Sequence, residues 1–272
     1  MRRSVLVLFA SVFFPLALVA QQLDRPSVGI VAHRGFHHEG SAENSISAMQ
    51  RAVDHGFEGT EFDVQLTQDG VAIVFHDAIM QGHVICETSI DTLRQLSAFT
   101  LSSGESVPLM TEFLEACSES LEAQGAHESH TRLFFEIKPH ALQSQRLCLL
   151  GQIIEALGTY RLHDEVFFIS FDLEACTLLA QLLPDIPVAY LKGDLSPREL
   201  HERGISGIDY HWSKFHEHPE WVKEAHDLGM SVNVWTVNKP DMAVSMLKLG
   251  VDYITTDDPL EMRSWLEPKE MH

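Results

Sequence analysis

The chain is short of cations, of cysteine and of long apolar runs. Lysine and arginine number 19 against 39 aspartates and glutamates, for a net charge of −20. A body this acidic repels nucleic acid and anionic bilayers in bulk, so neither is expected as a partner. An anionic substrate would have to meet cations supplied locally. The four cysteines, Cys86, Cys117, Cys148 and Cys176, are not spaced like a zinc site. Cys117, Cys148 and Cys176 fall on apolar helix faces, where a thiol packs as a small core residue. Disulfides remain the alternative, since four cysteines allow three pairings. No glycine-rich phosphate loop appears, so a nucleotide site has no support. No internal repeat of fixed period is present.

One apolar run stands apart. Met1-Arg2-Arg3 is a short basic start, Ser4–Ala20 is almost wholly apolar, and Gln21 onward turns polar. That order is expected of a secretory signal peptide over residues 1–20. The run is shorter than the roughly 20 residues of a membrane span, and Pro15 interrupts it. Cleavage after Ala20 would leave residues 21–272 as a single exported domain, periplasmic or secreted. No later segment is apolar and long enough to cross a bilayer, so no stable membrane insertion is expected after cleavage. Oligomeric state has no signature in the sequence.

What the chain does have is 45% hydrophobic residues and a regular alternation. Val28–His33 is an apolar run with a polar tip, the pattern of a strand buried on both faces. Seven more such runs begin near Thr60, Leu133, Val166, Val188, Gly207, Ser231 and Tyr253, with helical patterns between them. Eight parallel strands alternating with helices predict an α/β fold, a TIM-type (β/α)8 barrel. Asn44 reads as the N-cap of a helix over Ser45–His55, which Gly56 ends. Thr67–Gly70 is a turn too short for a parallel crossover. Val71–Phe75 is therefore expected to fold back as an extra antiparallel hairpin strand after the second barrel strand. Counting back from that turn puts His76 level with Glu61. Asp77–Val107 reads as loop with one short helix, Ile90–Leu96.

The chemistry gathers at strand ends. Glu61, Asp63 and Glu136 are three carboxylates on neighbouring strands, and Glu61 and Asp63, two apart, point to one face. Three such charges repel unless a cation sits among them. Oxygen-only ligands suit one divalent cation, Ca²⁺ or Mg²⁺. The plain alternative for any one of them is a solvated or salt-bridged carboxylate, which the apolar flanks of EFD and FEIK disfavour. His33 and His76 each cap an apolar strand, unlike His37, His38, His216 and His218, which read as loop residues. They form a candidate acid–base pair, which phosphodiester cleavage requires on opposite sides of phosphorus. Arg34 suits a phosphate clamp, with a structural salt bridge as its alternative. Lys138, two residues beyond Glu136, suits stabilisation of negative charge in the transition state.

These pieces occur as an ordered set: HRG at His33–Gly35, EN at Glu43-Asn44, EFD at Glu61–Asp63, TQDG, HD at His76-Asp77, FEIK at Phe135–Lys138, WTVN at Trp235–Asn238 and TDxP at Thr256–Pro259. The set resembles the glycerophosphodiester phosphodiesterases, over about Val28 to Pro259. The resemblance implies a divalent metal on Glu61, Asp63 and Glu136, with acid–base work by His33 and His76. It also implies phosphate contacts from Arg34 and Lys138, and site-wall roles for Glu43 and Trp235. The implied reaction is hydrolysis of a small-molecule glycerophosphodiester to glycerol 3-phosphate and an alcohol. Water or the glycerol's own 2-hydroxyl would attack. Ala42 and Ser45 depart from the family's usual proline and threonine around EN, which bears on headgroup preference. A related phospholipase D-type phosphodiesterase acting on lysophospholipid or sphingomyelin is the nearer rival. A glycosidase using two barrel carboxylates is the more distant one, and it gives no reason for Lys138 and Arg34.

Overall fold

The computed structural model describes residues 28–38, 40–125 and 131–266. The signal peptide expected over residues 1–20 lies outside the described residues. Eight parallel strands form a closed ring: β1 (Gly29–Ala32), β2 (Gly59–Leu66), β6 (Arg132–Ile137), β7 (Val166–Ser170), β8 (Val188–Tyr190), β9 (Gly207–His211), β10 (Ser231–Trp235) and β11 (Tyr253–Thr256). The ring closes where β1 pairs with both β11 and β2. Outside it, β3 (Ala72–Val74) lies antiparallel on β2, and β4 (Ile79–Met80) and β5 (His83–Val84) make a small hairpin. The helices are α1 (Ile46–Asp54), α2 (Ile90–Leu93), α3 (Met110–Gln124), α4 (Gln143–Tyr160), α5 (Leu173–Leu182), α6 (Pro197–His201), α7 (Trp212–Glu217), α8 (Glu220–Asp227), α9 (Pro240–Leu249) and α10 (Pro259–Leu266). No described helix is long and apolar enough to cross a membrane.

The strands are apolar on both faces because they serve two cores. Outward residues such as Phe62, Val64 and Phe135 pack under the helices, with the Phe62 ring tilted against Phe113 of α3 at 4.6 Å. Inward residues Val31, Phe134, Phe167, Ile169, Ala189 and Leu191 fill the ring. Phe134 and Phe167 stack at 4.9 Å, and Tyr253 meets Phe134 edge-on at 5.1 Å. Gly59 makes this possible: a Cβ there would lie 2.6 Å from the Phe134 ring. Small residues opposite large ones are how a barrel lumen becomes solid. A third cluster, Ile73, Met80, Ile85, Ile90, Leu93, Phe99 and Val107, lies under the segment between β3 and α3. That segment read as loop, yet it carries its own apolar packing and the β4–β5 hairpin.

Three local expectations are corrected. Ser45, not Asn44, caps α1: its Oγ accepts from the Ala48 N–H at 3.0 Å. Asn44 stands outside the helix with φ +59°. The hairpin register is one residue away from the expected one, pairing Val64 with Val74, and the Phe75 N–H donates to the Asp63 carbonyl at 2.9 Å. Phe75 thus lies level with Asp63, and His76 falls opposite Phe62 by the same count rather than Glu61. Helices α7 and α10 escaped the sequence reading, α7 because WSKFHE is a single short turn-rich segment after a strand. All four cysteines are free thiols.

Candidate active site

The HRG turn at the exit of β1 builds one side of the site. Arg34 takes φ +53° and Gly35 φ +82°. A Cβ on Gly35 would lie 2.7 Å from the Ala48 backbone, so α1 packs directly on this turn. The turn aims the Arg34 N–H at Glu61, which accepts through Oε2 at 2.8 Å. His33 faces the same carboxylate, with Nε2 3.9 Å from Glu61 Oε2. Its Nδ1 lies 2.6 Å from Asp257 Oδ1. Asn238 holds Asp257 in turn, its Nδ2 donating to Oδ2 at 2.5 Å and its Oδ1 accepting from the Asp257 N–H at 2.9 Å. The His33 hydrogen bond foremost, then His37, holds the Asp257 carboxyl far below the usual carboxylate range. Asp257 and Asn238 belong to the TDxP and WTVN motifs, but no role was read for them. Only the fold, which sets β10 and β11 beside β1, reveals it.

Strands β2 and β6 bring the carboxylates together, with Asp63 in register opposite Glu136. Ligand atoms of Glu61, Asp63 and Glu136 lie within 4.8 Å of one another, and all three residues are buried. Asp63 is the most fully held. Asn44 donates to its Oδ2 at 2.9 Å and accepts from its N–H at 3.0 Å. Lys138 Nζ is 3.1 Å from Asp63 Oδ1 and 2.9 Å from Glu136 Oε1. Arg34 Nε is 3.6 Å from Asp63 Oδ2. Burial raises the Asp63 acid, but Lys138, His76, Asn44 and Arg34 outweigh it and hold Asp63 ionised. Burial also opposes charge on Lys138, and there Asp63 and Glu136 prevail, keeping the ammonium charged.

Glu61 and Glu136 behave oppositely. Burial, then the charges of Asp63 and Glu136, push Glu61 well above its ordinary value. Burial and Asp63 push Glu136 up to about 7 despite Lys138. Glu61 Oε1 is buried and has no hydrogen-bond partner. With all three carboxylates ionised, as around a cation, Arg34 and Lys138 leave the cluster one negative charge in excess. An oxygen-only set with an orphaned carboxylate oxygen and that residual charge fits a hard divalent cation.

His76 arrives from outside the ring. It follows β3, and Gln65 of β2 donates through Nε2 to the carbonyls on either side of it, Phe75 at 2.6 Å and Asp77 at 2.9 Å. Its Nδ1 lies 2.7 Å from Asp77 Oδ1. His33, Arg34, Glu61, His76, Glu136 and Trp235 line one cavity of about 310 Å³. Trp235 donates from Nε1 to the Asp209 carbonyl at 2.9 Å and sets its ring against Phe171. Glu43 is half exposed and reaches the site through Arg34, whose Nη1 donates to Glu43 Oε2 at 2.5 Å. A second recess of about 340 Å³ shares Arg34 and His76 with the first and adds His37, Ser41, Glu43, Asp77 and Ser102. Every site residue expected from the sequence therefore lies in or against this mouth. His37, read as a loop residue, also lines it, with its side chain partly buried beside Asp257.

The chain is similar to a glycerophosphodiester phosphodiesterase of Caldanaerobacter subterraneus subsp. tengcongensis, 26% identical over 241 residues, or 85% of this chain and 94% of that protein. Among solved structures it resembles a glycerophosphodiester phosphodiesterase from Parabacteroides distasonis, with TM-score 0.82 and 38% identity, over 89% of this chain and 98% of that one. A phosphodiesterase from Oleispira antarctica, solved in complex with the product sn-glycerol-3-phosphate, shares the fold with TM-score 0.73 and 24% identity, over 88% of this chain and 97% of that one. A family model described as the glycerophosphoryl diester phosphodiesterase family matches residues 33–261. With that match spanning the barrel from the first site histidine to α10, the chain belongs to the glycerophosphoryl diester phosphodiesterase family.

Proposed function

We propose that this phosphodiesterase hydrolyses small glycerophosphodiesters to glycerol 3-phosphate and a free alcohol, with His33 and His76 as its acid–base pair. One divalent cation, Mg²⁺ or Ca²⁺, would be held by Glu61, Asp63 and Glu136. The observation that carries this reading is the partition of one mouth: three buried carboxylates within 4.8 Å, edged by Arg34 and Lys138 and opening to two imidazoles. A glycosidase needs its carboxylates but not that ring of cations. When bound, the cation supplies Lewis-acid polarisation of a phosphate oxygen.

The residues of the chain do the rest. Asp257 is ionised and accepts from His33 Nδ1, which leaves Nε2 on the cavity side for the substrate. His76, bonded through Nδ1 to Asp77, likewise offers Nε2. One ring takes the proton of the attacking hydroxyl and the other returns a proton to the departing alkoxide. Arg34, fixed by Glu43, binds phosphate oxygens with its remaining donors, and Lys138 adds charge stabilisation on the other side of Asp63. A diester has two arms, and the two recesses that meet at Arg34 and His76 give each arm its own space.

The test is release of glycerol 3-phosphate from glycerophosphocholine, with lysophosphatidylcholine assayed beside it. Release is expected to stop with a chelator and return with Mg²⁺ or Ca²⁺. Chelator-resistant turnover would remove the cation from the reading, and preference for the lysolipid would favour the phospholipase D-type alternative.

A further inference from the structure

The cavity has an inner wall as well as a mouth. Beyond the histidines and carboxylates it is bounded by Ile169, Leu191, Asp209, Trp235 and Thr255. Asp209 sits on β9 and is 1% exposed, and its Oδ1 completes no hydrogen bond. Asn233 is its register partner on β10. It is 0% exposed, and its Oδ1 and Nδ2 complete no hydrogen bond of good geometry, the Asp209 carboxyl being the group its amide approaches and helps hold down against burial. Buried polar atoms without partners work against folding, and apolar side chains fill the rest of this lumen well. Two such residues side by side, one of them lining a cavity, are therefore poorly explained by stability. The backbone that carries the Asp209 carboxyl is tied to the aromatic wall by the Trp235 indole, at 2.9 Å.

The chemistry of the pair selects what it would bind. A carboxyl and a primary amide together offer both donors and acceptors. An alcohol hydroxyl both donates and accepts, whereas a quaternary ammonium group does neither. Ile169 and Leu191 beside them suit the C–H faces of a short carbon chain. We infer that Asp209, backed by Asn233 behind the cavity wall, forms a hydroxyl-binding subsite that seats the glycerol arm of the diester in the inner cavity. The identity of that arm rests on the proposed phosphodiesterase reading. Binding a hydroxyl there would pair Asp209 Oδ1, and an analogue without one would leave it unpaired again, which is how a polar pocket discriminates strongly.

The experiment is calorimetric binding of glycerol 3-phosphate and of ethyl phosphate, which keeps the phosphate but lacks free hydroxyls, to the full chain with Mg²⁺ present. The wild type is expected to prefer glycerol 3-phosphate by about tenfold or more. Asp209→Leu should abolish that preference while leaving ethyl phosphate affinity unchanged, and Asp209→Asn should keep most of it. Should Asp209→Leu fail to fold, Asn233→Val provides the same comparison. A wild type that binds the two ligands alike, or neither, overturns the subsite, as does a folded Asp209→Leu or Asn233→Val that keeps the preference. Turnover of glycerophosphocholine is followed on the same wild-type sample. Its absence beside an intact preference would reject the phosphodiesterase reading alone, and turnover without preference would reject the subsite alone.

Discussion

The two ends of the barrel lumen are built on opposite principles. At the N-terminal end, Phe134, Phe167 and Tyr253 interlock against Gly29 and Gly59, leaving no room for a methyl group. At the C-terminal end, charged groups are buried, and several polar atoms, Glu61 Oε1 and Asp209 Oδ1 among them, lack partners. One end is solved for packing and the other is left unsolved. The difference teaches that this mouth is not stabilised for its own sake. Its strain is tolerated because the aromatic layer below holds the strands in register, which is the division of labour expected of this barrel.

Substitutions at the two ends should separate cleanly. At the mouth, His33→Ala or His76→Ala is expected to lower turnover by about 10²- to 10⁴-fold. The His76→Ala urea midpoint should match the wild type, that of His33→Ala should fall because Asp257 loses its bond to the ring, and initial rates of glycerophosphocholine cleavage per folded molecule are the measure. Retained turnover in either variant rejects its acid–base role. At the packed end, Phe134→Ala is expected to cost about 3–5 kcal/mol of stability. Turnover per folded molecule should be unchanged, and equilibrium denaturation read beside activity decides it. If turnover falls in step with stability, the two ends are not independent.

The mouth should also carry a distinct dependence on pH. A carboxyl whose folded pKa is raised binds its proton more tightly in the fold. Glu136, pushed up to about 7 by burial and Asp63, therefore favours the folded state most below its ordinary value near 4.5, and that advantage is lost as pH rises toward 7. Glu61 is raised and acts in the same sense. Asp257, depressed foremost by its bond to His33, acts in reverse: it stabilises above the ordinary carboxylate range and loses that contribution as pH falls. Without divalent cation, stability should decline by about 1–3 kcal/mol between pH 4.5 and 7, and added Mg²⁺ should flatten the decline. Melting temperatures across pH, with chelator and with Mg²⁺, provide the test, and a cation-free profile that rises over this range contradicts the assignment.

Much of this was legible before any coordinates. Apolar runs such as Val166–Ser170 and helices such as Pro240–Leu249 lie where their patterns put them, because period and length are local properties. The carboxylates and histidines were legible because each is a polar residue at the tip of an apolar run. What escaped depended on distant partners. Asn44 carries the signature of a helix cap, and only Asp63, nineteen residues on, turns its amide to another use. Asp257 meets His33 across 224 residues, a contact that exists only once the ring closes. Asp209 and Asn233 are single polar residues inside apolar strands, and nothing nearby in the chain distinguishes them from ordinary lumen residues.

The Gln65 amide has a further consequence. It belongs to a strand locked into the closed ring, yet it grips the main chain on both sides of a histidine that lies outside that ring. One imidazole is therefore part of the chassis, and the other is hung from it by that amide and by the Phe75 N–H bond to the Asp63 carbonyl. The distance between the two rings is thus set by one side chain together with the end of the hairpin, neither of which belongs to the strand pairing that closes the ring.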